Sequence, residues 1–331
     1  MLNYEQVSRK PGAFKSITGI SPDEFQALLA EVSPRYQAAE EQRIANQKRK
    51  RAPGGGLKSR HDLAQRLLMT MVWLRLYLTC EAVGVLFGVD KSTVSRHTSP
   101  ILRILRDLGA DTLGWPEEAQ DLVGTDGPPP DSSSGAASCE PHDGDPSPAI
   151  EPNETDMVAI IDATEQRIER SHDYATQKAH YSGKKKAHTR KTQLIVNEQG
   201  RIRDVSQSVP GSLHDINLFR QSGVLERLPV EISAMADSGY QGIQDDMPER
   251  SVALPYRASR GHPLTPEQKL HNHDISSIRI VVENTIAALK HFRSLTDVFR
   301  HAVERYDNVF LAIVGIVNHR IDKRLARLAT T

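Results

Sequence analysis

Cysteine is nearly missing from this chain: 331 residues hold two, Cys80 and Cys139, far apart and the second in a polar stretch. That leaves no basis for a disulfide framework and makes a reducing cytoplasm the expected compartment. Long apolar runs are missing too. The longest, LLMTMVWLRLYL at 67–78, is too short to cross a bilayer and carries Arg75 in its middle, so neither a membrane span nor a membrane partner is expected. The opening MLNYEQVSRKPGAFK lacks the apolar core of a secretory signal. Net charge is absent as well, with 42 Lys and Arg against 42 Asp and Glu.

That balance hides an asymmetry. Residues 1–115 hold 17 basic against 11 acidic side chains, 116–156 none against 11, and 157–331 hold 25 against 20. Two basic blocks flanking an acidic strip suit a chain whose blocks meet a polyanion; solvated surface charge is the plainer alternative. The strip is rich in Pro, Gly, Ser and acid with no apolar period, so it cannot bury enough surface to offset its ordering entropy. It is expected to be a disordered linker between a domain at 1–115 and another at 157–331, in line with the length.

Ahead of the strip the pattern is helical. SPDEFQALLAEV opens with Ser21 as N-cap and Glu24 three residues on. KRKRAPGGG at 48–56 is basic and then flexible, and SRHDLAQRLLMTMVWLRLYL reads as one helix with a core face. The informative stretch is TCEAVGVLFGVDKSTVSRHTSPILRIL at 79–105. A helix over 79–87 stops at Gly88, whose freedom at positive φ suits a tight turn, and a second helix starts behind Asp90 as N-cap. Helix, glycine turn, helix is the helix-turn-helix arrangement, whose second helix enters the major groove of DNA. Its early exposed positions, Lys91, Ser92, Thr93, Ser95, Arg96 and His97, can all donate to phosphates or base edges. Val85, Val89, Val94 and Ile101 are expected inside.

Past the strip the period changes to two. MVAIID (157–162), KTQLIVNEQ (191–199) and RIRDVSQSVP (201–210) read as strands, the last two joined by a turn at Gly200. A helix starts in GSLHDINLFRQS, a fourth strand lies at 231–237, and long helices cover 275–295 and the C-terminal HAVERYDNVFLAIVGIVNHRIDKRLARL. The result is a mixed α/β layer fold.

Three acids stand out. Asp162 and Asp237 are placed at strand ends, where open α/β sheets bind ligands, although Asp also ends strands merely as a turn former. Glu283 is expected on the partly buried face of its helix, where an unpaired carboxylate is costly. With no evident basic partners, the three call for a cation. Hard oxygen donors suit Mg²⁺ or Mn²⁺, and two such ions would clamp the attacking and leaving oxygens of a phosphodiester. Asp162 would bridge both, Asp237 hold one and Glu283 the other. Arg279 and Lys290 share a helix face with Glu283 and would grip flanking phosphates. YSGKKKAHTRK adds Lys184, Lys185, Lys186, His188, Arg190 and Lys191 as a phosphate track, against the alternative of a solvated face. His214 and Asp215 are either a helix start or a support for the acids. His271 and His273 lack a second ligand pair, so zinc is not expected. Trp73 and Trp115 are assigned to the core.

As an ordered set, IIDATEQRIER, YSGKKKAHTRKTQLIVNEQGRIRDVSQSVPGSLHDINLFR, MADSGYQG and VVENTIAALKHFR resemble the catalytic region of the DDE transposases of bacterial insertion sequences, in the group related to the eukaryotic Harbinger elements. LTCEAVGVLFGVDKSTVSRH is similar to the DNA-binding segment ahead of that region. The resemblance implies an RNase H-like mixed sheet flanked by helices, behind a separate all-α helix-turn-helix domain. It implies a metal-binding catalytic triad of Asp162, Asp237 and Glu283 that cuts and joins transposon ends at terminal inverted repeats and target DNA. Further implications are two Mg²⁺ or Mn²⁺ ions, a homodimer or larger synaptic assembly, and a nucleoid-associated place in the bacterial cytoplasm. A Tyr, Arg, Glu, Lys signature surrounds the Glu in related elements; Arg279, Glu283 and Lys290 match it, while Ser276 stands at the Tyr position. Two other readings of the residues stay open: a metal-dependent nuclease taken over for another task, and a non-catalytic DNA-binding regulator.

Overall fold

The computed structural model describes residues 1–46, 61–115 and 157–329. The stretch KRKRAPGGG, the acidic strip at 116–156 and Cys139 lie outside them.

Six helices come first: α1 Tyr4–Ser8, α2 Pro11–Thr18, α3 Pro22–Ala45, α4 Leu63–Leu76, α5 Cys80–Phe87 and α6 Lys91–Asp111. Their starts follow the capping residues. Ser21 Oγ accepts from the Glu24 amide at 3.2 Å and the Glu24 carboxylate accepts from the Ser21 amide at 2.7 Å, which closes a capping box. Asp62, Thr79 and Asp90 cap α4, α5 and α6 in the same way with one bond each to an N3 amide. Gly88, at φ 70°, ends α5 and makes the turn into α6.

Val83, Phe87, Val94 and Ile101 fill the interior of this helix pair. Val85 does not: it is 78 % exposed. The buried side of α5 runs through Val83 and Phe87, one turn apart, and Val85 stands about 200° around the helix from Val83. Two apolar residues two apart cannot both face the core of a short helix.

After the acidic strip come β1 Val158–Arg167, α7 Tyr174–His180, β2 Tyr181–Ser182, β3 Ala187–Val196, β4 Ile202–Val205, β5 Val209–Pro210, α8 Asp215–Gln221, α9 Val224–Arg227, β6 Ser233–Ala236, α10 Ile243–Asp246, β7 Val252–Ala253, α11 Pro266–Lys290 and α12 Tyr306–Ala329. The sheet order is β2-β3-β1-β6-β7, with β4 and β5 also paired to β3. β1 is antiparallel to β3 and parallel to β6, and β6 is parallel to β7, so the sheet is mixed. Gly200, at φ 80°, carries the tight turn from β3 to β4.

β1 is longer than its apolar run. It stays paired to β3 from Ile160 to Arg167, so Asp162 lies inside the strand and not at its end. The polar continuation TEQR keeps alternating, with Thr164 and Gln166 buried on one face. The other neighbour does stop: β6 ends at Ala236, opposite Ile161.

The alternation along β1 divides two cores. Ile160 belongs to a cluster with Phe14, Trp73, Ile101, Val282 and Phe310, whereas Ala159 and Ile161 join one with Phe219, Tyr240 and Ile243. The first cluster runs from the N-terminal helices to α12. There α12 lies along α6 at backbone contact, because a Cβ on Gly109 would stand 2.0 Å from the Leu311 carbonyl oxygen. The sequence boundary at 116–156 is therefore not a boundary of packing: the last helix returns to complete the first. No helix among the described residues is long and apolar enough to cross a membrane.

Candidate active site and nucleic-acid interface

The parallel register of β1 and β6 pairs Ile161 with Ala236, so the next residues on the two strands are Asp162 and Asp237. Sheet geometry thus brings together two acids 75 positions apart in sequence. Asp237 caps the 3₁₀ turn Ser238–Tyr240 by accepting from the Gly239 amide at 2.7 Å. The Asp162 carboxylate accepts from the Ala163 amide at 2.8 Å and has Arg279 Nη2 of α11 at 3.5 Å. Burial pushes the Asp162 carboxyl up to about 6; Asp237 and Asp215 push the same way, against the Ala163 amide and Arg279.

Two expectations change here. Asp162, one of the three, has a basic partner in Arg279, and Asp215, outside the three, has the Lys191 ammonium at 2.7 Å. Glu283 is exposed, not partly buried. The inward line of α11 is Ile275, Val282 and Leu289, and Glu283 stands about 100° to one side of it, with Arg279 and Lys290 on the same flank. Both of those cations feel Asp162: Arg279 by its contact, and Lys290 through a charge interaction with Asp162 and Glu165 that opposes the downward push of burial and Lys185 on its ammonium. Among the described residues no three acidic, His or Cys side chains converge closely enough to hold a metal ion.

The basic run divides. Lys184, Lys185 and Lys186 are exposed in the turn between β2 and β3, and His188 is half-buried with its ring edge-on to Tyr181. Arg190 turns inward, its Nε donating to Ser208 Oγ at 2.8 Å and its guanidinium lying over the Tyr306 ring. Lys191 is not a phosphate contact. Its side chain is 8 % exposed and donates to Asp215 and to the Leu213 carbonyl, with Glu165 at 3.8 Å. Strand alternation explains the split, since a basic run carried into a strand must send members to both faces. His214 precedes α8 as its N-cap residue, exposed and making no side-chain cap bond, whereas Asp215 sits in the first turn and joins the acids.

Tyr240 has no forewarning in the sequence beyond its place three residues after Asp237. It is fully buried, its hydroxyl has no hydrogen-bond partner among the described residues, and burial together with Asp215, Asp162 and Asp237 raises its pKa well above the usual phenol value. Gly239 is equally particular. A Cβ there would stand 2.8 Å from Asp215 Oδ2 and 2.8 Å from Asp237 Oδ1, so only glycine leaves the space between these oxygens open. Carboxylate oxygens, an open cradle and an unpaired buried hydroxyl fit a hard divalent cation, and Asp162 and Asp237 are the residues that would hold it.

On the other candidate surface, Lys91, Ser92, Ser95 and Arg96 are exposed at the start of α6, with Thr93 and His97 half-buried. Asp90 orders this start by accepting from Thr93 N at 2.8 Å and Thr93 Oγ1 at 3.0 Å, and the Arg96 guanidinium folds back on Thr93 Oγ1 at 3.0 Å. Lys91 is 3.7 Å from Glu81 across the turn. The His97 ring packs edge-on to His61, and burial, with Arg66, His61 and Arg96, lowers its pKa to about 4.

Residues 161–318 match the family described as DDE superfamily endonuclease, and residues 62–111 match the helix-turn-helix of DDE superfamily endonuclease. Over these two stretches the chain is similar to DDE superfamily endonucleases and to the helix-turn-helix that accompanies them. The first match covers both strands that carry Asp162 and Asp237, together with α11; the second covers α4 to α6. A curated relative, the "Probable transposase for insertion sequence element IS702" of Microchaete diplosiphon, is 27 % identical over 313 residues, covering 93 % of this chain and 94 % of that protein. No solved structure matches. The two matches support a DNA-cleaving enzyme that uses divalent metal and binds DNA.

Proposed function

We propose that this chain is a DDE transposase that binds the terminal inverted repeats of its element through α5 and α6, cuts there and joins the end to target DNA. The observation that carries the reading is the register of β1 and β6, whose last pair, Ile161 with Ala236, is followed in the sequence by Asp162 and Asp237, with Arg279 and Lys290 of α11 alongside Asp162. Asp162 and Asp237 supply oxygen donors, and Glu283, on the α11 flank between the two cations, is the third acid of the triad. Two Mg²⁺ or Mn²⁺ ions bound there would supply charge neutralisation of the phosphodiester and activation of the attacking hydroxyl. Arg279 and Lys290 hold the phosphates on either side of the scissile bond, and the exposed Lys184, Lys185 and Lys186 extend that hold along the backbone. Recognition falls to Lys91, Ser92, Ser95 and Arg96. Because water and a DNA 3′-hydroxyl attack in the same geometry, one site serves cleavage and joining. Two ends must be held together, so the working form is a homodimer or larger assembly, on DNA in the bacterial cytoplasm.

Incubating a labelled element end with Mg²⁺ and the wild type should yield cleaved and joined products, and Asp162→Ala, Asp237→Ala and Glu283→Ala should each lose both by about a thousandfold or more. Equal activity in all four proteins removes the site. Cleavage without joined product by the wild type reassigns the chain to a plain nuclease.

A further inference from the structure

Asp215 and Tyr240 stand outside the triad yet share its space. Asp215 gives one oxygen, Oδ1, to Lys191 at 2.7 Å, and its other, Oδ2, stands over Gly239 together with Asp237 Oδ1, each 2.8 Å from where a Cβ would be. Tyr240, next in the chain to Gly239, is fully buried, its hydroxyl has no hydrogen-bond partner among the described residues, and it feels the charges of Asp215, Asp162 and Asp237. A phenol left unpaired beside carboxylates is an expensive arrangement that a folded chain keeps where something else completes it. Among the described residues no three of these side chains converge closely enough to ligate one ion directly. Mg²⁺, however, keeps several of its waters when it binds protein.

We propose that Asp215 and Tyr240 form the outer wall of the metal site, binding the hydration shell of a divalent cation held by Asp162 and Asp237, with Asp215 as acceptor and the Tyr240 hydroxyl as hydrogen-bonding partner. Lys191 fixes the wall by anchoring the far oxygen of Asp215 and, through Glu165, the neighbouring position of β1. Gly239 keeps the gap open. Both Asp215 and Tyr240 are positioning residues: they touch the ion only through its water. The inference rests on the metal reading of Asp162 and Asp237 and deepens it.

The test is Mn²⁺ titration of the full chain by calorimetry, without DNA, alongside thermal melts of the metal-free proteins. Tyr240→Phe keeps the buried ring and deletes only the unpaired hydroxyl. It should raise the melting temperature of the metal-free protein by about 2 °C and weaken Mn²⁺ binding about tenfold. A purely structural tyrosine would not move the two readouts in opposite senses. Asp215→Asn should weaken Mn²⁺ binding by about 10- to 100-fold, and Asp237→Asn by at least as much. Wild-type Mn²⁺ affinity in both Tyr240→Phe and Asp215→Asn, with the loss confined to Asp237→Asn, overturns the outer wall and leaves the metal site standing. Wild-type affinity in Asp237→Asn overturns the metal site and the wall with it.

Discussion

α6 and α11 both begin behind a capping residue and both carry basic side chains that the proposed function assigns to DNA, yet they present those side chains differently. In α6 the functional residues occupy the first turns, where the cap, Asp90, orders Ser92 and Thr93 and leaves Lys91, Ser95 and Arg96 outside. In α11 they lie about four to seven turns from the Thr265 cap, on a flank whose meaning depends on which strand lies across from it. A helix start is set by local chemistry, whereas a helix flank is set by its partner. Mutations that separate local from partner-dependent order should therefore act on the two regions in different ways.

The largest effect on stability is expected where partner dependence is greatest. Lys191→Met leaves Glu165, 8 % exposed, and Asp215 without their cation. Removing one member of a buried ion pair costs about 3–5 kcal/mol, which denaturant unfolding would read directly. A loss under about 1 kcal/mol, the range of surface pairs, would mean that water reaches these groups and that the site is no more tightly ordered than the start of α6.

That contrast also explains what the sequence disclosed. The helix-turn-helix was legible almost to the residue because Thr79, Gly88 and Asp90 each act on their own few neighbours. Val85 was misplaced, since counting apolar residues does not choose between faces of an eight-residue helix, and Val89, Thr93 and His97 are half-buried where the first was expected inside and the other two exposed. In the sheet, Asp162 and Asp237 were legible as candidates. Their pairing needed the parallel register of β1 with β6, which two strands 75 residues apart do not announce. Arg279 as the partner of Asp162, Lys191 turned inward and Tyr240 unpaired were beyond reach for the same reason. The short strands β5 and β7, two residues each, carry no period to detect.

The α6–α12 contact sharpens the comparison from the other side. Gly109→Ala would drive a methyl group against the Leu311 carbonyl, and Gly315→Ala another to 2.8 Å from Gly109 N. Overpacking of this kind costs about 1–3 kcal/mol. Because α12 follows the catalytic sheet in the chain, the melting of both regions should shift together in Gly109→Ala, as one transition seen by circular dichroism and by tryptophan fluorescence. A shift confined to the helical region would break the claim that the two share a core.

Arg96→Ala tests the locally ordered surface. Arg96 is exposed, and its bonds reach no farther than Ser92 and Thr93, so stability should hold within about 0.5 kcal/mol. Affinity for an element end should fall, and the slope of log affinity against log salt should drop by about one if Arg96 meets phosphate. An unchanged slope with lost discrimination between ends assigns it to a base edge instead.

The smallest expected effect concerns His97, half-buried beside His61 and held down to about 4 by burial and the nearby cations. The ordinary imidazole value is 6.5, so as pH falls the unfolded chain takes up this proton before the folded chain does. The stability His97 contributes is present above 6.5 and is lost as pH falls toward 4. Asp162 runs the opposite way, since its raised value of about 6 favours the folded chain at the acid end. The difference between wild type and His97→Gln isolates the imidazole: melts from pH 7 to 4 should fall less steeply in the variant. Binding of DNA should show no gain from His97 between pH 8 and 5.5, because the ring stays neutral there. A rise in wild-type affinity over that range, absent in His97→Gln, would make His97 a phosphate contact and move it from the ordered interior to the DNA-facing side of α6.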